Sequence, residues 1–261
     1  MPYETLLLEI RDEVAKLTLN RPDKLNAFNR QLLLDFHAAM REIIENGTAR
    51  TLVLSGAGRA FSSGADLQAR SAEGNPKDPE QRMRDFWLPA FYMLREAKMP
   101  TIAAVNGICA GAGVSMALSC DFVIAQRSAY FLYAFVNVGL VPDMGATWFL
   151  PHRIGDARAK QLLMLGEKLP AEQAQEWGLI YKAVDDDKLM DEAMALARKF
   201  ASGPTRTYAL IRELLGASWR NELPAQVEME HKYQAVAGKT PDANEAIAAF
   251  LEKRTPKFTG K

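Results

Sequence analysis

The chain has 261 residues, 48% of them apolar, and its 32 Lys+Arg balance 32 Asp+Glu. That length carries one large domain, or a domain plus an appendage, with a sizeable core, and zero formal charge argues against a nucleic-acid or membrane-surface protein, whose binding faces are basic. Cys109 and Cys120 share one apolar stretch and read as small core residues, and the three histidines (His37, His152, His231) show no zinc spacing, so neither disulfide nor metal is expected.

The opening "MPYETLLLEIRDEVAKL" has acids where a signal peptide has a basic region and an apolar core, so a soluble cytoplasmic protein is the expectation. "ETLLLEI" and "VAKLTLN" flank Arg11-Asp12-Glu13 as a hairpin. After the loop "RPDKLNAFN", Asn29 is placed to cap a helix over 30–46, where Leu32, Leu33, Phe36, Ala39, Met40, Ile43 and Ile44 fall at helical spacing. "TLVLSG" (51–56) is a buried strand, followed by the glycine-rich "AGRAFSSGAD", in which Asp66 is placed to cap a helix. Residues 71–80 are polar, carry two prolines and predict a mobile loop. "QRMRDFWLPAFYMLREAK" is an amphipathic helix that Pro89 should kink unless it lies near a start. Phe86, Trp87, Phe91 and Tyr92 on that helix read as pocket lining or as core.

"TIAAV" (101–105) is the next buried strand and leads into "NGICAGAGVSMALSCD". That run is not a dinucleotide loop, since Met116 stands where the third glycine belongs, nor a Walker loop, since it has no lysine. Thr101–Cys120 is uncharged over about the length of a membrane span, but Asn106 and the glycines break the pattern. Two short strands, "DFVIAQ" and "AYFLYA", come next; Asp121 reads as a turn residue, and Phe131, Tyr133 and Phe135 form an aromatic cluster. "FVNVGLVPDMGATWFLPHRIG" reads as a loop leading into helices; "DARAKQLLMLGEKL", "AEQAQEWG" and "DDDKLMDEAMALARKFASG" read as helical, and "LIYKAV" as a strand. From Gly203-Pro204 the chain is helical to about residue 252. Strands alternating with helices over 1–200 imply an α/β core with mostly parallel pairing, and 201–261 a helical region.

The two glycine-rich loops share one design. Each follows a buried strand, turns on glycine and feeds a predicted helix. Backbone N–H groups are then free around Gly64, Ala65 and Asp66 in the first, and around Gly111, Ala112 and Gly113 in the second. Two such donors aimed at one point stabilise an oxygen that gains negative charge. Tight turns alone also demand glycine, so the spelling leaves a purely structural reading open.

"AFSSGADL", "IAAVNGICAGAGVSMALSCDFVIA", "GLVPDMGATWFLPHRIG" and "AEQAQEWGLI", in this order, resemble the crotonase (enoyl-CoA hydratase/isomerase) superfamily over nearly the whole chain, from "LTLNRPDKLNAFN" to "AFLEKRTPKFTGK". The resemblance implies a spiral of ββα units of the ClpP/crotonase type, with a helical C-terminal region used in trimer assembly. A homotrimer or a hexamer made as a dimer of trimers is the expected assembly. It implies an acyl-CoA thioester as ligand, with coenzyme A part of the substrate and no separate cofactor, and the carbonyl oxygen between the Ala65 and Ala112 amides. It implies further substrate contacts near Lys24, Ala27, Ser63, Asp66, Leu67 and Gly111, and from Phe250 and Lys253 in the tail.

Hydratases of this superfamily use two glutamates, and this sequence has Ser115 and Phe135 at those positions. The carboxylate left nearby is Asp143 in "VPDMGAT", where isomerase-like relatives carry an acid that serves as base; Asp before a helix is also a common N-cap. Apolar Phe135 beside it is expected to raise its pKa. "GLVPDMGATWFLP" and "FTGK" look most like the branch that isomerises a CoA-linked phenylacetyl epoxide. The expected activity is isomerisation of that ester or of a 3-enoyl-CoA. Enoyl-CoA hydration and acyl-CoA binding without catalysis are the alternatives.

Overall fold

A computed structural model describes residues 3–71 and 76–261, with the side chains of 70 and 71 left aside. The loop expected over 71–80 therefore lies partly outside the described residues. The predicted hairpin is β1 (Leu6–Arg11) and β2 (Val14–Leu19), paired antiparallel. α1 (Arg30–Asn46) comes next, its first turn capped by the Asn29 side chain accepting from Leu32 N at 2.9 Å. Its predicted apolar stripe is buried except for Ile44, which is 49% exposed.

β3 (Thr51–Gly56) is the predicted strand, but the loop after it holds a further short strand, β4 (Ala60–Ser62). Past Asp66 there is one 3-10 turn, Gln68–Ser71, in place of the expected helix. The helical stretch over 79–95 is α2 (Pro79–Arg82), a π turn at Met83–Trp87 and α3 (Leu88–Arg95). The π turn bonds Leu88 N to Met83 O, so the chain enters Pro89 on a widened turn and the missing proline amide interrupts nothing.

β5 (Thr101–Val105) is followed by another unpredicted short strand, β6 (Ile108–Ala110), and by α4 (Ala112–Ser119). β7 (Phe122–Gln126) and β8 (Tyr130–Leu132) were both legible. α5 (Ala146–Leu165) begins earlier than expected, inside the stretch read as a loop, and Gly155 breaks it. "GEKLP" leaves the predicted helix as β9 (Lys168–Pro170), ahead of α6 (Ala171–Glu176) and β10 (Lys182–Val184). α7 (Leu189–Ala201), α8 (Thr205–Ser218), α9 (Leu223–Ala237) and α10 (Pro241–Leu251) complete the chain.

Two sheets result. The larger has the order β1-β2-β3-β5-β7-β10, all parallel after the hairpin, and the smaller has the order β4-β6-β8-β9. Three times the chain runs up a strand of the large sheet and then through a short strand of the small one: β3–β4, β5–β6, β7–β8. The large sheet is covered on both faces, which is why "TIAAV" is buried throughout and apolar after Thr101. Val53, Ile102, Ala104 and Ile124 pack on Ala193 and Ala197 of α7, while Leu54, Ala103 and Val105 face the main core with Phe36 and Met40.

Two side-chain amides, the buried Asn26 and the half-buried Asn106, pin the strand ends. Asn106 Nδ2 donates to Gly56 O (2.7 Å) and Gly58 O (2.8 Å), and Asn26 Nδ2 donates to Ala57 O (2.9 Å) and Ala60 O (2.7 Å). The helical region is tied back by Arg212 to Asp121 (2.7 Å) and by Arg50 to Thr205 Oγ1 (2.9 Å) and Phe258 O (3.2 Å). Asp121 also accepts from Thr101 N at 2.8 Å, the turn role expected of it. Cys109 and Cys120 are free, buried thiols.

Candidate active site

The ends of β4 and β6 meet. Gly64 sits at φ +92°, and a methyl group on it would lie 2.9 Å from Ala110 O and 3.3 Å from Ala112 N. Only glycine permits that approach of one turn to the other. Gly111, at φ 52° and ψ −128°, turns the chain from β6 into α4, so that Ala112 is the first helical residue and its amide has no carbonyl one turn back.

Ala65 is presented by a different device. It forms a one-residue parallel bridge with Phe28, made by Phe28 N to Gly64 O (2.7 Å) and Asp66 N to Phe28 O (2.9 Å). Those bonds engage the residues on either side of Ala65, so its own N–H points away from the bridge. Among the described residues neither the Ala65 nor the Ala112 amide has an acceptor. Both residues line one cavity of about 430 Å³, a volume suited to a small organic group.

Ser63, Asp66, Leu67, Gly111, Phe135 and Asp143 line the same cavity. Lys24, Ala27, Ser115, Phe250 and Lys253 do not. Lys24 is exposed on the turn before Ala27, and Ala27 is buried behind the bridge. Phe250, 82% exposed, ends α10 on the outer surface, with Lys253 just beyond it. Ser115 is fully buried beneath the cavity, where its Oγ donates to the main-chain carbonyl of Asp143 at 3.2 Å. There it braces the Asp143 backbone.

The two aspartates of the wall differ. Asp66 pairs with Arg21 at 3.1 Å and accepts from Ala69 N at 3.1 Å. Burial opposes its charge, but the Ala69 amide and Arg21 outweigh it and hold the carboxyl below the usual range. Asp143 has no cation partner: Oδ1 is buried with no hydrogen bond among the described residues, and the group that opposes the effect of burial is its own backbone amide. Burial pushes its pKa up to about 6. It does not cap α5 either. Met144 (φ 49°) and Gly145 (φ 79°) intervene in left-handed conformations, and the turn is closed by Ala146 N bonding to the Asp143 carbonyl at 3.1 Å. The carboxylate is left to the cavity.

The rest of the wall is mainly apolar. The π turn turns both Phe86 and Trp87 inward, and Trp87 lies against Phe28 with ring centroids 5.6 Å apart. His37 holds that turn, its Nε2 donating to Phe86 O at 2.8 Å. The two other aromatics of the helix do not reach the cavity: Phe91 packs on Phe149 and Tyr92 is 49% exposed. Phe131 and Tyr133 are core, leaving Phe135 as the one cavity residue of its cluster. Phe28, Leu33 and Arg30 were not anticipated as lining; their spacing serves a capped helix equally well. Among the described residues no group of acidic, His and Cys side chains is disposed to hold a metal, and no helix is long and apolar enough to cross a membrane.

The family model described as enoyl-CoA hydratase/isomerase matches residues 9–261. The chain belongs to this family. It is 43% identical over 260 residues to the 1,2-epoxyphenylacetyl-CoA isomerase of Escherichia coli K12, covering 99% of each chain. It is 41% identical over 261 residues to a Rhodobacter capsulatus protein named "Probable enoyl-CoA hydratase", covering 100% of both. Among solved structures, an enoyl-CoA hydratase subunit I from Geobacillus kaustophilus HTA426 superposes with a TM-score of 0.90 at 36% identity, over 100% of each chain. The crotonase-type α/β fold expected from the motifs is the fold of this enzyme family.

Proposed function

We propose that the protein is an acyl-CoA isomerase that holds a thioester enolate between the Ala65 and Ala112 amides while Asp143 carries the migrating proton. The observation that supports this reading is the company Asp143 keeps. It is the one cavity carboxylate, among the described residues, without a cation partner, and it shares the cavity with two unpaired amides.

Removing a proton α to a thioester moves an electron pair onto the carbonyl oxygen. Fixed N–H donors at that oxygen lower the barrier, one donor contributing about 3–4 kcal/mol. A carboxyl group with a pKa of about 6 is ionised at neutral pH yet basic enough to accept the proton. The same group, protonated, can return the proton to another carbon of the delocalised anion. Mass and oxidation state are conserved, so CoA enters as part of the substrate and no separate cofactor belongs to the scheme.

Hydration needs a second group to activate water. Asp66 is committed to Arg21 and Ser115 to the Asp143 carbonyl, while Phe135 is apolar. The name of the Escherichia coli relative and the wall of Phe28, Phe86, Trp87 and Phe135 favour an aromatic acyl group such as epoxyphenylacetyl, whose ring opening draws on the same oxygen stabilisation. A 3-enoyl-CoA suits the same proton shuttle. The name of the Rhodobacter relative favours hydration, which an assay with crotonyl-CoA decides: turnover at background supports the isomerase.

Assembly as a trimer, or as a dimer of trimers, is part of the proposal. It is supported by apolar side chains exposed on the last three helices, among them Leu215, Leu223, Ile247 and Phe250. A cytoplasmic setting, where acyl-CoA esters are made and used, fits the same scheme. The test of the chemistry is Asp143→Asn assayed with both CoA esters. Loss of turnover with ester binding retained supports the reading, and turnover within a few-fold of wild type defeats it.

A further inference from the structure

We infer that Arg21 is a positioning residue for the reaction: its guanidinium spans the one-residue bridge that aims the Ala65 amide, and so sets the oxyanion donor. This rests on the enolate-stabilising reading of the site.

The bridge between Phe28 and Ala65 is two hydrogen bonds long and sits at the end of a loop with no strand continuing it. A pairing that short does not hold its own register. Before Gly64 the two segments are also tied by Ser63 N to Leu25 O (2.9 Å) and Ser62 Oγ to Asn26 O (2.8 Å); past Ala65 the tie between them is Arg21. Nη1 donates to Ala27 O, one residue before Phe28, and Nη1 and Nη2 each donate to Asp66 Oδ2 at 3.1 Å, one residue after Ala65. Arg21 is itself fixed, its N donating to Asn26 Oδ1 at 2.8 Å and its O accepting from Asn26 N at 2.9 Å. The Arg21 and Asp66 side chains are 16% and 11% exposed, so the pair is largely shielded from water.

These contacts also say what Arg21 does not do. Its guanidinium is committed to protein oxygens and it does not line the cavity, so it is not a cation kept for a substrate phosphate. Asp66 in turn is held in the wall by Arg21 and by the Ala69 amide. Without Arg21 the Asp66 carboxylate keeps the Ala69 amide on Oδ1 but loses the partner of Oδ2 while still largely buried, and it relieves that cost by moving toward water. Ala65, bonded to it through one peptide, moves with it. A displacement of about 1 Å at such a donor costs on the order of 100-fold in rate.

The test uses the full chain with Arg21→Met and Arg21→Lys. Three quantities are read for each: kcat and KM with the best CoA ester, affinity for free CoA, and the ultraviolet enolate band of bound acetoacetyl-CoA. Free CoA has no thioester carbonyl, whereas the enolate band reports the donors directly. In Arg21→Met we expect kcat lowered about 100-fold, the enolate band lost, and free CoA affinity within about threefold of wild type. Arg21→Lys, which keeps the charge but not the fork, is expected to fall between the two. A folded Arg21→Met with wild-type kcat and enolate band overturns the inference, as does one whose only change is a lower melting temperature. Should Arg21→Met not fold, Arg21→Lys decides: reduced kcat and band with unchanged CoA affinity support the inference, and wild-type values overturn it. A wild-type protein that neither turns over any ester nor produces the band removes the functional reading and this inference together, an outcome distinct from a variant that matches an active wild type.

Discussion

The turn after β4 and the turn before α5 each bring one aspartate to the cavity wall, and they treat it in opposite ways. Asp66 is held by Arg21 and the Ala69 amide, and its charge is spent on the protein. Asp143 is held by its backbone, through Ser115 Oγ and Ala146 N at its carbonyl, and its carboxyl group has no cation partner, with Oδ1 buried and unbonded among the described residues. The first environment lowers the pKa and the second raises it to about 6. A carboxylate satisfied by a cation is poor at accepting a proton, while one deprived of partners and water gains by accepting it. The same residue type, in one cavity, thus serves as a fastener in one turn and suits acid–base work in the other.

The contrast is sharpest in the substitution of the freer acid. Asp143→Asn is expected to lower kcat by about 10³-fold, within the usual span for a lost acid–base group, with ester affinity changed only a few-fold. In the wild type, kcat/KM should rise with pH through about 6 and then level, as Asp143 loses its proton; an unchanging profile from pH 4.5 to 8 would break the assignment. Gly64→Ala is expected to cost about 100-fold in kcat, because its methyl group, 2.9 Å from Ala110 O, pushes the two turns apart. Asp66→Asn should cost less, about tenfold, with a lower melting temperature, since the amide keeps part of the contact to Arg21.

A further effect is on stability and runs against habit. The Asp143 carboxyl titrates near 6 in the folded chain and near 3.9 when unfolded, so the folded state binds the proton more tightly. Stability then falls as pH rises from about 4 to about 6 and stays lower above that. Asp143→Asn removes this penalty. Calorimetry should show the variant more stable than wild type by about 1–3 kcal/mol at pH 8 and equal to it at pH 4.

Much of the fold was legible because its long elements carry one clear period. β3 and β5 are continuous apolar runs, and α1 has both its stripe and its cap at Asn29. In the small sheet β4, β6 and β9 were not legible, three residues being too few to show alternation within glycine-rich or mixed sequence, whereas β8, equally short, lies in the aromatic run "AYFLYA". The two turns and Asp143 were found from glycine spacing and from motif resemblance. Whether Asp143 capped a helix depended on Met144 adopting positive φ, which its side chain does not announce. Ser115 was placed on the site by correspondence with a glutamate, yet a side chain as short as serine at that position stays beneath the wall. Arg21 gave no signal, since its partner is 45 residues away and the intervening sequence contains no pattern linking them.

The central claim is that one unpartnered carboxylate moves a proton within the substrate and no water is added. The direct measurement is mass spectrometry of products after incubating wild-type protein with 3-hexenoyl-CoA and with epoxyphenylacetyl-CoA. The account predicts products of unchanged mass and altered retention, absent with Asp143→Asn. Products heavier by one water, or unchanged-mass products formed equally well by Asp143→Asn, would contradict it.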